Sequence, residues 1–201
     1  GTADAIGPDG AWLRRIEIRP APAGPAVYPS GRTYAEEIQN FANWFTYYRK
    51  RHQALRGGIT QAFSESDGVR VGSFRFYNRI TVTMRSLTTD RVDVLEDIYT
   101  SRGTGGTPLR ESLNHLGEQF ERTDANKPII AACQKNYGIA FTDGFANNSN
   151  FNFIGNVDGG EGAPYADTHT GTLADIAMEY YENFTQPGGF ASGQVPVPAA
   201  C

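Results

Sequence analysis

Along this chain the spacing of apolar residues switches between a helical and a strand period, and the switches mark its elements. Ile38, Phe41, Phe45, Tyr48, Leu55, Ile59 and Ala62 recur at helical spacing behind a Thr33/Glu36 capping-box pattern. They predict a helix reaching Phe63, with Gly57-Gly58 as a candidate kink and one apolar stripe packed on a sheet. Val69 to Tyr77 carries β-branched and aromatic residues on both faces, and after Asn78-Arg79 the positions Ile80, Val82 and Met84 alternate with polar ones. That pattern predicts a hairpin joining a buried strand to a half-exposed edge strand. A short helix follows from a cap at Asp90 through Tyr99, burying Val94, Leu95 and Ile98. The next helix has Thr107 at its cap, Pro108 at its first position and a stripe of Leu109, Leu113, Leu116 and Phe120. Tyr137 to Phe141 (YGIAF) reads as a central parallel strand ending in Thr142-Asp143-Gly144. The last helix is expected from about Thr170 to Phe184, burying Leu173, Ile176, Ala177, Tyr180 and Phe184. This alternation specifies an α/β fold, a three-layer α/β/α arrangement with a mostly parallel sheet and one antiparallel edge strand.

The ends differ in texture. Residues 1–33 hold five Pro and five Gly, and only Trp12 to Ile18 looks like a short strand, so 1–33 reads as an arm. Residues 34–186 form the core and 187–201 a linker rich in Pro, Gly and small residues. At 201 residues the chain holds one sizeable core. A net charge of −4 leaves no global basic field for nucleic acid or anionic lipid. No apolar run reaches the roughly 20 residues a membrane span needs. Gly1 to Gly10 lacks the regions of a signal peptide, so a secreted protein would be represented here by its mature form or an excised segment. Cys133 and Cys201 are compatible with one disulfide. Cys133 is equally readable as a small buried hydrophobe, and Cys201 as pairing beyond this chain. No Cys/His cluster supports a zinc site.

In open parallel sheets ligands sit at the carboxyl ends of strands. Two elements point there: the Gly105-Gly-Thr-Pro-Leu109 loop and Thr142-Asp143-Gly144. Thr107 and Asp143 would present a hydroxyl and a carboxylate, oxygen ligands suited to Mg²⁺ or Ca²⁺. Asp158, with Glu161 and Asp167, is an alternative source of carboxylates, set against the blander reading of a Gly-rich loop with Asx turns. His115 and His169 lack a nucleophile and read as surface or helix-cap residues. No catalytic constellation assembles, so the chain reads as a binding domain. A metal-dependent hydrolase using Asp143 and the 158–167 loop is the enzymatic alternative.

Thr107 and Asp143 resemble the second and third parts of the metal-ion-dependent adhesion site of von Willebrand factor A domains. The resemblance narrows to one branch through Tyr34 to Arg51 (YAEEIQNFANWFTYYRKR), Gly105 to Leu113 (GGTPLRESL), Cys133 to Gly144 (CQKNYGIAFTDG), Gly155 to Gly159 (GNVDG) and Tyr165 to Tyr181 (YADTHTGTLADIAMEYY). With Gln194 to Pro198 (QVPVP), these blocks look like successive segments of the PilC/PilY pilus-tip adhesin family over residues 34–198. The resemblance implies a large secreted protein with an amino-terminal A-like domain and a carboxy-terminal propeller. It implies action at the type IV pilus tip, priming assembly with minor pilins and contributing to surface adhesion. It also implies that Cys133 is oxidised, with Cys201 or a cysteine outside this chain. The first part of the adhesion site, Asp-x-Ser-x-Ser, is absent. In the family that strand can lie upstream of a long insert, so either this chain lacks it or the site is degenerate. Thr107 and Asp143 are then expected to converge to about 5–7 Å while holding Mg²⁺ or Ca²⁺ weakly or not at all. A structural module that docks pilins or a neighbouring domain without metal is the alternative within the binding class.

Overall fold

The computed structural model describes residues 5–6, 8–131, 134–142, 144–147 and 154–183. Two units, Gly1–Gly57 and Gly58–Cys201, make up the chain.

In the first unit, β1 (Ala5–Ile6) pairs antiparallel with β2 (Trp12–Leu13), so only the start of the expected Trp12–Ile18 strand is laddered. The loop beyond it closes on Tyr28, whose buried hydroxyl accepts from the Arg19 amide at 2.7 Å and donates to the Arg19 carbonyl at 2.8 Å. Helix α1 (Tyr34–Tyr47) starts at the expected box, with Thr33 and Glu36 reciprocally bonded. It does not continue to Phe63. The chain breaks at Tyr48–Lys50 and restarts as α2 (Arg51–Ser64), so the interruption lies upstream of Gly57-Gly58. Gln53 splints the break: its Oε1 accepts from the Lys50 amide and its Nε2 donates to the Thr46 carbonyl, two groups that helix ends leave unpaired. Phe41 and Phe45, expected against a sheet, are 46% and 45% exposed, and α1 buries no residue fully.

In the second unit the hairpin forms, but its ladder is short. β3 (Arg70–Val71) pairs antiparallel with β4 (Arg85–Ser86), and the turn closes at Arg75 and Asn78. Helix α3 (Arg91–Thr100) lies directly behind β4. Asp90 does not cap it; its Oδ2 accepts from the Ser86 amide instead. Leu87, Val94 and Ile98 form a buried cluster with Ile59, Phe63 and Val71 packed against it. Leu95 is only half-buried.

Helix α4 (Leu109–Phe120) is the hub of this unit. Its Leu109, Leu113, Leu116 and Phe120 stripe is half-buried, whereas Ser112 and Gln119 are buried. The Ser112 hydroxyl donates to the Phe76 carbonyl, and Gln119 Oε1 accepts from the Val82 amide, which a short ladder leaves without a strand partner. Gly117 faces the Tyr180 ring of helix α5 (Leu173–Glu182), close enough to exclude any side chain. α5 buries Ile176 and half-buries Tyr180, while Leu173 and Ala177, expected inside, are exposed. Phe184 lies outside the described residues.

Every strand pair among the described residues is antiparallel, so the parallel sheet expected from the sequence is not formed by them. Tyr137–Phe141 is not laddered. Gly138 sits against Leu116 of α4, but Tyr137, Ile139 and Phe141 are exposed. A central strand requires a neighbour on each edge, and no described residue supplies one here.

Candidate functional site

The loop before α4 is shaped by close packing and turn geometry. Gly105 has φ +84° and lies under the Tyr77 ring, so both its backbone and its surroundings require glycine. Thr107, expected to cap α4, does not do so; Pro108 occupies the cap position without a side-chain bond. The Thr107 hydroxyl makes no hydrogen bond to the described residues.

Asn147 brings a second loop to this one. Its amide donates to the Thr107 carbonyl at 2.9 Å, and its Oδ1 accepts from the Thr107 amide. A side chain at Gly106 would collide with Asn147. Asn147 lies three residues beyond Thr142-Asp143-Gly144, so the segment that follows this motif is tied to the Thr107 loop. Asp143 itself lies outside the described residues. Beside it the Gly144 amide donates to the Thr142 hydroxyl at 3.3 Å, and Gly144 has φ +133°, a conformation that favours glycine. Nothing local in the sequence signals Asn147 as a clamp reaching back 40 residues.

The 155–171 loop closes on α5 through Asp175, which is fully buried. Asp175 and Thr172 form a capping box. The other carboxylate oxygen accepts from the Val157 amide at 2.8 Å and, at 3.5 Å, from the Asp158 amide. Burial pushes the Asp175 carboxyl up, but the amide and hydroxyl of Thr172 and the amides of Val157 and Asp158 outweigh it and hold the group below its ordinary range. The signal was present in Thr-Leu-Ala-Asp, a capping box with Asp in place of Glu. Asp158 opens a 3₁₀ turn (Asp158–Gly160) and is 1% exposed, with no partner for its Oδ1 among the described residues. Glu161 is exposed, as is Asp167, whose Oδ1 accepts from the His169 amide in an Asx turn. Among the described residues no three His, Cys, Asp or Glu side chains assemble as metal ligands.

His115 does not cap a helix and is half-buried. Its ring packs edge-on against Phe74, and Nε2 lies 2.9 Å from the Ile80 carbonyl. A cavity of about 590 Å³ between α4 and α5 is lined by Glu111, Glu118, Glu121 and Glu179, with Arg79 and Tyr180. Burial, reinforced by Glu121, Glu118 and Glu179, raises the Tyr180 phenol well above its ordinary value, so it stays protonated and donates to Asn114 at 3.0 Å. Cys133 and Cys201 lie outside the described residues.

Comparison with known proteins gives one consistent result. The chain is 29% identical to the Type IV pilus biogenesis factor PilY1 of Pseudomonas aeruginosa strain PAK, over 76% of this chain and 16% of the relative. Against the PilY1 factors of strains PAO1 and UCBPP-PA14 identity is 28% and 25%, over 81% and 84% of this chain and 17% of each relative. The chain thus spans about a sixth of the length of these curated relatives. No family model and no solved structure matches it.

Proposed function

We propose that this chain is part of a type IV pilus biogenesis protein, exposed at the bacterial surface near the pilus tip, where it binds other proteins rather than catalysing a reaction. The similarity to PilY1 factors across three quarters or more of the chain carries this reading. In this proposal its partners are minor pilins and the remainder of the same polypeptide, and it serves both assembly and surface adhesion. The Asn147 clamp supports a ligand-presenting role, since it draws the Thr107 loop to the segment after Asp143, while no described residue bonds the Thr107 hydroxyl. An A-like parallel sheet is proposed to be completed around Tyr137–Phe141 by strands outside the described residues. The exposed aromatic and β-branched side chains of that segment, seated on α4 at Gly138, support this.

The genetic test deletes the gene in the producing bacterium and counts surface pili by electron microscopy. Loss of pili, restored by the intact gene, is expected; full piliation in the deletion strain would sink the reading. The metal question is separate. Thr107 and Asp143 together provide at most three side-chain oxygens where a hard cation takes six or more, so Mg²⁺ titration of this chain should give weak heat or none. Tight binding unchanged in Asp143→Ala would move the cation elsewhere, with Asp158 first in line.

A further inference from the structure

We infer that the joined loops around Gly105–Thr107 and Gly144–Asn147 form a docking surface for an acidic patch on a protein partner, with Phe145 as its apolar anchor. Phe145 is 100% exposed, which leaves its whole ring in water two residues from the clamp that fixes its loop. Tyr77, 65% exposed, stacks over Gly105 at the other side of the same loop pair. A fully solvated Phe contributes nothing to this chain's own packing, yet its loop is held by two hydrogen bonds to Thr107. A loop fixed in this way loses little freedom when it docks.

Arginine side chains flank these rings. Arg75, Arg79 and Arg102 belong to the segments that carry Tyr77 and Gly105. The Arg75 guanidinium donates to the Arg102 carbonyl at 3.0 Å, a neutral acceptor, whereas Arg79, which donates to the Phe76 carbonyl at 2.9 Å, also borders the glutamate-lined cavity between α4 and α5. Arg102 is exposed, and none of the three forms an ion pair with a described carboxylate. In a chain of net charge −4, Arg75 and Arg102 are the positive groups this surface offers a partner. Arginine and aromatic residues are the types that dominate binding energy at protein interfaces, where a ring fills a pocket and guanidinium groups meet carboxylates around it. An Asp- or Glu-rich surface with an apolar socket is the complement.

The inference rests on the pilus reading for its assay. In the full-length protein a photo-reactive benzoylphenylalanine at position 145 is activated in piliated cells, and the crosslinked peptide is identified by mass spectrometry. The expected product joins position 145 to an Asp/Glu-rich segment of a pilus subunit, and its yield falls about tenfold or more in Arg102→Glu, as for loss of an interface anchor. Phe145→Ala, which removes no internal contact, should reduce surface pili at unchanged protein level. Crosslinking to lipid, to a second copy or to a segment without acidic excess overturns the inference, as does no product at all or wild-type piliation in Phe145→Ala. If deleting the whole gene leaves piliation intact, the pilus reading falls by itself, and the crosslink still reports what the surface touches.

Discussion

At Asp175 burial and hydrogen bonding act in opposite directions on one carboxyl group, and the hydrogen bonds win. A carboxyl held below its ordinary value contributes stability that is fully present above the unfolded-state value and is lost as pH falls through the lowered folded value. Asp175→Asn should therefore be clearly less stable than the parent at pH 7, with the gap closing below about pH 4. Urea melts across that range check it; a pH-independent gap contradicts the role of the charge. Gly117 is constrained differently, because the Tyr180 ring occupies the space of its missing side chain. Gly117→Ala should cost about 1–3 kcal/mol, the range for overpacking a close contact, and Tyr180→Ala in the same chain should remove most of that penalty. Neither constraint was legible beforehand as a contact. The Thr-x-x-Asp box was visible around Asp175, but its reach to Val157 and Asp158 joins segments that sequence spacing does not relate.

Elements were more legible than their packing. Helices near Thr33, Asp90, Thr107 and Thr170 and the hairpin after Val69 were each expected because apolar periods are local, although only Thr33 of the expected caps bonds its helix. The break at Tyr48–Lys50 was missed because its splint, Gln53, is an ordinary helix residue that pairs with two backbone groups only after the chain has turned. Gln53→Ala should separate α1 from α2 in stability, seen as faster amide exchange at Lys50 with little change at Leu116. The aromatic stripe of α1 has the spacing of a buried face, yet Phe41 and Phe45 remain close to half exposed, with Arg49 stacked on Phe45. Phe41→Ala should thus cost less than about 1 kcal/mol in this chain, against about 2–5 kcal/mol for Ile176→Ala. Equal losses in denaturant melts would show that α1 is covered in solution.

For the molecule as a whole, periodicity foretold an α/β chain but not how much of a sheet these residues build. Hydrophobicity says that YGIAF wants a neighbour; it does not say that the neighbour is among these residues. The same gap bears on the candidate site: the sequence paired Thr107 with Asp143, which lies outside the described residues, and nothing in it foretold Asn147 as a link from the segment that follows. Tyr137–Phe141 has a practical consequence as well. A stretch of exposed aromatic and β-branched side chains, with backbone groups outside any ladder, is where a protease enters most easily and where unrelated chains adhere. Chymotrypsin should nick this chain first at Tyr137, Phe141 or Phe145. In a longer polypeptide that lays strands beside this segment, cleavage at Tyr137 and Phe141 should slow sharply while Phe145 stays open. The digestion pattern then serves as a gauge of sheet completion, readable on a gel before any high-resolution structure of the larger protein.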